Sequence, residues 1–311
     1  MLASCGGGGA SGGNAVSVVP GPTPTSTPAS TPPPTSTTTP SPAYDMAYDL
    51  VRDRSFALNT AELSATGTSG QTGFIYSSIA SALINPAQAL TLNYVAATQD
   101  ASVVRGTGAP RVYPQSQISL RGTDRVIYIA PDGSLSLSQP GPSNGGLSPG
   151  LRYVLVAVQN VTTRKADFSF DTIERRSIAG TSTVAADVPR TGTASYRVLL
   201  TSASYTATEY NGFVAQDATL TIDYAASTIR GTIVANSTSS SQPARSITIG
   251  ISGQLSSTNN RLVGSVTSED GGTGQFSGEL YGTSGVELGL AFSVQRSGEQ
   301  IAGTVVGVRR Q

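Results

Sequence analysis

Histidine and tryptophan are absent from this 311-residue chain, and cysteine occurs once. Without histidine there is no Ser-His-Asp or Cys-His nucleophile, no histidine-ligated zinc and no histidine-ligated haem. A single cysteine provides neither a disulfide framework nor a thiolate cluster for a metal. Lysine also occurs once, at Lys165, and the 19 basic residues balance 19 acidic ones. No basic stripe is available to hold a phosphate backbone, so nucleic acid is not an expected partner. No apolar run reaches 18 residues, so no transmembrane helix is predicted.

The lone cysteine stands in a telling place. Leu2-Ala3-Ser4-Cys5 has the shape of a lipobox: an apolar residue, two small residues, and the cysteine that receives the lipid. A full signal carries an apolar stretch of about 7–15 residues upstream, whereas four residues precede Cys5 here. Residues 1–5 are read as a lipobox remnant with lipidation at Cys5. Residues 6–43 follow as a Gly-rich and then Pro/Thr/Ser-rich segment that holds nine of the 18 prolines. Such a segment has too little apolar surface to offset the entropy of ordering, and is predicted to be a disordered tether. At about 3 Å per extended residue it spans up to roughly 100 Å.

Beyond the tether the pattern is all-β. Val286, Leu288, Leu290, Phe292 and Val294 alternate with Glu287, Gly289, Ala291, Ser293 and Gln295, a period of two that specifies a strand. From residue 193 the chain reads as eight strands, near 193–204, 217–225, 228–235, 245–254, 261–268, 273–282, 285–295 and 299–308. Asn259-Asn260 and Asp270-Gly271-Gly272 supply turn chemistry. Short links make successive strands antiparallel neighbours, and eight in one meander can close into an up-and-down barrel. Gly231, Gly264, Gly278 and Gly303 are candidate corner positions. Alternation alone leaves two barrels open, one with the apolar set packed inside and one with it turned to lipid. The sparse aromatics and the chain end Val308-Arg309-Arg310-Gln311 favour the packed interior.

Residues 44–186 form a second β-rich region, less regular than the first. The run Leu151–Val158 reads as a strand covered on both faces, positioned to dock on the barrel. Gln71–Leu83 is the one weak helix candidate. The polar loop Gln139–Gly146 is a candidate binding loop, or else a surface insertion.

No catalytic constellation converges. The glycine run Gly272–Gly278 misses the dinucleotide spacing and has no βαβ unit around it. Lys165 has Thr162, not serine, three residues before it. Glu279 and Glu287, the best pair for two-carboxylate hydrolysis, read as solvated exterior residues, and Glu269-Asp270-Gly271-Gly272 as a hairpin turn rather than a calcium loop. Strand tyrosines such as Tyr153 and Tyr224 read as core. No enzyme activity and no cofactor are expected.

The segment Gly278-Glu279-Leu280-Tyr281-Gly282-Thr283-Ser284-Gly285-Val286-Glu287-Leu288-Gly289 resembles G-x-F-Y-G-P-x-A-x-E-L-G-G. That pattern is a hallmark of the C-terminal β-barrel of transferrin-binding protein B and its smaller surface-lipoprotein relatives. Val188–Tyr196 resembles the family's entry into the barrel, and Ala218–Tyr224 with Ile229–Ile233 its second and third strands. The resemblance covers Asp187–Arg309; residues 44–186 are similar to the family's handle region in a looser way. Leu280, Thr283, Gly285 and Leu290 depart from the pattern. Gly278, Tyr281, Gly282, Glu287, Leu288 and Gly289 are the matching motif residues, and they are fold-defining positions.

The resemblance implies a 44–186 handle-like domain, a 187–311 barrel domain and a lipid-anchored, surface-exposed place in a Gram-negative outer membrane. It implies a non-enzymatic binding protein for an iron- or haem-carrier protein or other ligand, with a TonB-dependent receptor as a possible partner. The alternative is a structural or adhesive envelope lipoprotein with no soluble ligand.

Overall fold

The computed structural model describes residues 44–310, apart from 71–72, 85–87, 142–146, 148–149 and 239–243. Cys5, the 6–43 tether and most of the Gln139–Gly146 loop lie outside the described residues. The structure is all-β, with a ten-stranded sheet followed in the chain by a closed eight-stranded barrel.

The sheet comprises β1 (Arg54–Gly70), β2 (Gly73–Leu83), β3 (Leu90–Val95), β4 (Asp100–Arg105), β5 (Arg111–Tyr113), β6 (Ile118–Arg121), β7 (Arg125–Ala130), β8 (Gly133–Ser138), β9 (Val154–Arg164) and β10 (Ser169–Gly180). Its order is β5-β4-β3-β1-β10-β9-β8-β7-β6, with β2 beside the second half of β1. The 17 residues of β1 serve three neighbours. Its first residues pair with β3, later ones pair with β2, and β10 runs along the opposite edge. Successive side chains on a strand point to opposite faces, and β1 uses both. Leu58 joins a core with Leu90, Tyr94, Tyr128 and Leu135. Ala61, Leu63 and Ala65 turn the other way, toward the barrel residues Ala203, Ala291 and Ala302.

The helix expected at 71–83 is instead β2. A β-bulge explains the misleading spacing. The β1–β2 register slips at Thr66/Gly67, which leaves Ser77 unpaired. The extra residue puts Tyr76 and Ile79, which both pack on the barrel-facing cluster, three apart rather than two. A bulge in a strand thus imitates a helical period.

The barrel comprises β11 (Thr193–Thr206), β12 (Tyr210–Asp223), β13 (Thr228–Ser237), β14 (Ser246–Leu255), β15 (Arg261–Ser268), β16 (Thr273–Tyr281), β17 (Glu287–Arg296) and β18 (Glu299–Arg309). Every neighbour is antiparallel, and β18 closes on β11, with Tyr196 opposite Arg309. The apolar set points inward: Leu220, Ile233, Ile249, Leu262, Phe276, Leu288, Leu290 and Phe292 share one buried cluster. Tyr224 belongs to it, whereas Tyr153 packs only partly buried against the sheet–barrel cluster. At one end, called here the entry end, Tyr196 donates to the Gly285 carbonyl at 2.5 Å and its oxygen lies 2.7 Å from that of Tyr224. At the other end Arg245 and Arg296 both hold the buried Glu299.

The glycines serve clearance rather than bending alone. A Cβ on Gly303 would lie 2.5 Å from the ring of Phe292, and one on Gly264 would lie 2.7 Å from the ring of Phe276. Both rings cross the interior over a bare backbone.

The sheet covers one side of the barrel wall. Consequently β17 is buried on both faces over its first eight residues. The outward positions there and on β18 are small, among them Gly289, Ala291 and Ala302. The two-faced burial expected for 151–158 holds over 154–157, whereas 151–153 precede the strand and Arg152 is exposed. Val154 and Val156 face the barrel, while Leu155 and Ala157 face the sheet's own core.

Candidate protein-docking surface

Four of the six motif residues, Tyr281, Gly282, Glu287 and Gly289, gather at one seam between sheet and barrel. Glu287 does point out of the barrel, but it is not solvated: only 2% of it is exposed. Its Oε1 accepts the backbone N–H of Arg152 at 2.6 Å, and its Oε2 accepts those of Tyr153 and Val154 at 2.9 and 3.0 Å. These are the donors of the segment entering β9. Burial pushes its carboxyl up to about 7, against the pull of the three N–H groups.

Tyr281 is buried beside this contact. Gly282 has φ +70°, and a Cβ there would fall 2.2 Å from the Tyr153 ring. A Cβ on Gly289 would fall 2.4 Å from Ile178, and one on Gly278 2.8 Å from Leu290. Gly278, on the same face of β16 as Phe276 and Leu280, and Leu288 turn into the barrel instead. Tyr281, Gly282, Glu287 and Gly289 therefore join the two parts of the fold.

The far end is different in character. β11 runs from the entry end, near Thr193, to the far end at Thr206, and the hairpins β1–β2 and β9–β10 reach the same far end. Their tips carry a ladder of rings. Phe74 and Tyr76 each meet Phe170 edge-on, with centroids at 5.4 and 5.9 Å. Tyr76 continues to Tyr205 at 4.8 Å, and Tyr205 to Tyr210 at 5.2 Å. The ladder is fixed in place. The Tyr76 N–H donates to the Ala207 carbonyl at 2.8 Å. The Tyr210 hydroxyl donates to Glu174 at 2.8 Å, and Arg176 donates to the other oxygen of Glu174 at 2.6 Å.

Beyond the packed rings the surface is apolar and open. Phe74 is 49% exposed, Ile75 56% and Phe168 78%. Phe168 also has φ +63°, a conformation that is costly for a bulky side chain and that gathers at functional sites. Exposed aromatics on rigid strands are the usual anchors of protein interfaces. The ring types were visible in the sequence; their convergence was not, because it depends on β1, β2, β9, β10 and β11 ending at one place.

The remaining candidates do not assemble. Glu279 accepts from Ser182 at 2.6 Å and lines a cleft of about 820 Å³ between β1 and the barrel wall. Glu287 is occupied by backbone donors, so the pair shares no site. Lys165 is held by Asp171 at 2.9 Å. Asp270 is bonded to Ser268 at 2.6 Å and paired with Arg296.

Residues 188–309 match the family model described as the C-lobe and N-lobe beta barrels of Tf-binding protein B. The match covers the barrel alone, so it is this part of the chain that is similar to the barrels of transferrin-binding protein B. Among solved structures the chain is similar to isotype 1 transferrin-binding protein B of serogroup B Neisseria meningitidis, with 13% identity and a TM-score of 0.42. That match covers 82% of this chain and 44% of the other, so the chain spans less than half of that relative's length. It is also similar to the haemoglobin receptor HpuA of Kingella denitrificans, with 17% identity, a TM-score of 0.35, and 87% and 91% of the two chains covered. A third is the N-lobe domain of lactoferrin-binding protein B of Moraxella bovis, with 13% identity, a TM-score of 0.37, and 56% and 79% covered. No curated protein matches the chain.

Proposed function

We propose that this protein is a non-enzymatic capture protein of a Gram-negative outer membrane, anchored through lipid on Cys5 and taking a protein that carries iron or haem. The observation carrying this reading is the placement of the exposed aromatic end. The described fold begins at Tyr44, whose hydroxyl donates to Asp187 at 2.7 Å beside the barrel's entry end. A tether attached there leaves Phe74, Ile75 and Phe168 at the opposite end, free to meet a large partner. The handle-like region 44–186 and the barrel 187–311 both contribute to that end. The barrel interior is filled by side chains, so a ligand is met from outside rather than enclosed. Relatives of similar fold are named for transferrin, lactoferrin and haemoglobin, which supports a carrier protein as the ligand class. A TonB-dependent receptor is the natural recipient of such cargo.

Surface plasmon resonance of the full chain against iron-loaded transferrin, lactoferrin and haemoglobin tests this reading. Saturable binding to at least one, lost in Phe168→Ser, is the expected result. Binding to none overturns the carrier reading and leaves the adhesive or structural lipoprotein. For the anchor, Cys5→Ala should move the protein from the membrane to the soluble fraction; full membrane retention would refute lipidation there.

A further inference from the structure

Between the tips of the β1–β2 and β9–β10 hairpins lies a cavity of about 260 Å³. It falls below the roughly 300–1,000 Å³ of ordinary small-molecule sites, which suits one side chain rather than a haem. Five of its walls are rings: Phe74, Tyr76, Phe168, Phe170 and Tyr205. Its charged lining is of one sign, Arg164 and Lys165, and no carboxylate lines it. The nearby acids are turned elsewhere. Asp171 accepts from Lys165 and from Thr66 at 3.0 Å, and Asp167 accepts from Ser169 at 2.6 Å. Among the described residues Arg164 has no ion-pair partner.

We propose that this cavity receives one large apolar side chain, aromatic or branched aliphatic, that stands next to a carboxylate on the captured protein. The inference rests on the capture reading above and specifies its contact chemistry. Five rings reward burial of an apolar group and offer edge and face contacts to an aromatic one. A cationic guest, otherwise suited to a ring-lined pocket, would meet Arg164 on entry, the lining cation whose charge is not answered by a carboxylate as that of Lys165 is by Asp171. A carboxylate beside the buried group instead gains a charge-assisted hydrogen bond from Arg164. Phe168 forms the lip. Its turn is closed by Lys165 N–H donating to the Ser169 carbonyl at 2.9 Å and Phe168 N–H donating to the Lys165 carbonyl at 3.3 Å. That turn holds the ring outward at its positive φ.

The test is titration of the full chain with capped dipeptides, followed by NMR shifts of the Phe168 and Arg164 amides. N-acetyl-Phe-Glu-amide should bind in the millimolar range, and N-acetyl-Phe-Lys-amide and N-acetyl-Ala-Glu-amide at least fivefold more weakly. Arg164→Gln should erase the Glu/Lys difference while leaving the thermal midpoint unchanged. Equal affinities for the Glu and Lys probes, or shifts confined to other regions, would overturn the proposal. So would phenylpropionate binding more tightly than the dipeptide, because the site would then serve a free aromatic acid. If a carrier protein binds and Arg164→Gln and Phe168→Ser leave that binding intact, the pocket assignment fails and capture stands. If the dipeptides discriminate and no carrier binds, capture fails and the pocket chemistry stands.

Discussion

The carboxylate of Glu287 and the backbone N–H of Tyr153 meet at 2.9 Å across 134 residues of chain. One is the first residue of β17 and the other precedes β9, so the bond ties barrel to sheet at a buried point. With the N–H groups of Arg152 and Val154 also converging on Glu287, three donors depend on one side chain. Truncation by Glu287→Ala strands all three, and each buried donor left unsatisfied costs about 1–3 kcal/mol. A loss of roughly 3 kcal/mol or more is expected, seen as a lower urea midpoint; an unchanged midpoint would refute the role.

The same residue sets a pH dependence. Its folded pKa of about 7 lies above the usual 4.5, so the folded chain binds the proton more tightly than the unfolded chain. This contribution is fully present below pH 4.5 and is lost as the pH rises from there through 7. At 1.36 kcal/mol per unit it amounts to roughly 3 kcal/mol. Unfolding measured between pH 4.5 and 8 should show it, and Glu287→Gln, which cannot titrate, should remove that part of the slope.

Gly282→Ala should destabilise by about 2–4 kcal/mol. The substitution meets both a positive φ and the ring of Tyr153, with no space to yield. Gly192→Ala has a similar φ and no neighbour within 4 Å, so its cost should be the smaller. Thermal midpoints of the two variants separate crowding from backbone strain; equal losses would remove the packing role.

Phe168→Gly should act in opposite directions on stability and capture. Glycine tolerates φ +63°, and the ring is mostly exposed, so stability should rise by up to about 1 kcal/mol. Partner binding should weaken at least tenfold. A variant that lost stability and kept its affinity would show that the ring serves packing instead.

Much of the barrel was legible in the sequence. The strand expected at 261–268 is β15, with the same bounds, and period two groups Leu288, Leu290, Phe292 and Val294 on one face, which the sparse aromatics and the chain end, not the period, assign to the interior. Alternation distinguishes the two sides of a wall but does not reveal what covers the outer side. Period two alone therefore puts Glu287 in solvent, whereas the sheet buries it. Gly289, Ala291 and Ala302 held the missing signal, since small residues facing outward leave room for a neighbour. In β2 the bulge at Ser77 broke the period, and the strand resembled a helix. The aromatic end was not readable, because its rings come from segments as distant as Phe74 and Tyr210.

The stripe of glycine and alanine beneath the sheet also bears on inheritance. A barrel shuffled by recombination onto a foreign partner would bring a bald flank fitted to β1 and β10, and a Glu287 with no amides to greet it. Such a chimera would inherit a wound instead of an interface. The two halves are thus fitted to each other, and Tyr76 and Tyr205 share that fitted wall with Ala291 and Ala302; on the ring-bearing tips the exposed Phe74, Ile75 and Phe168 stand outside that cluster.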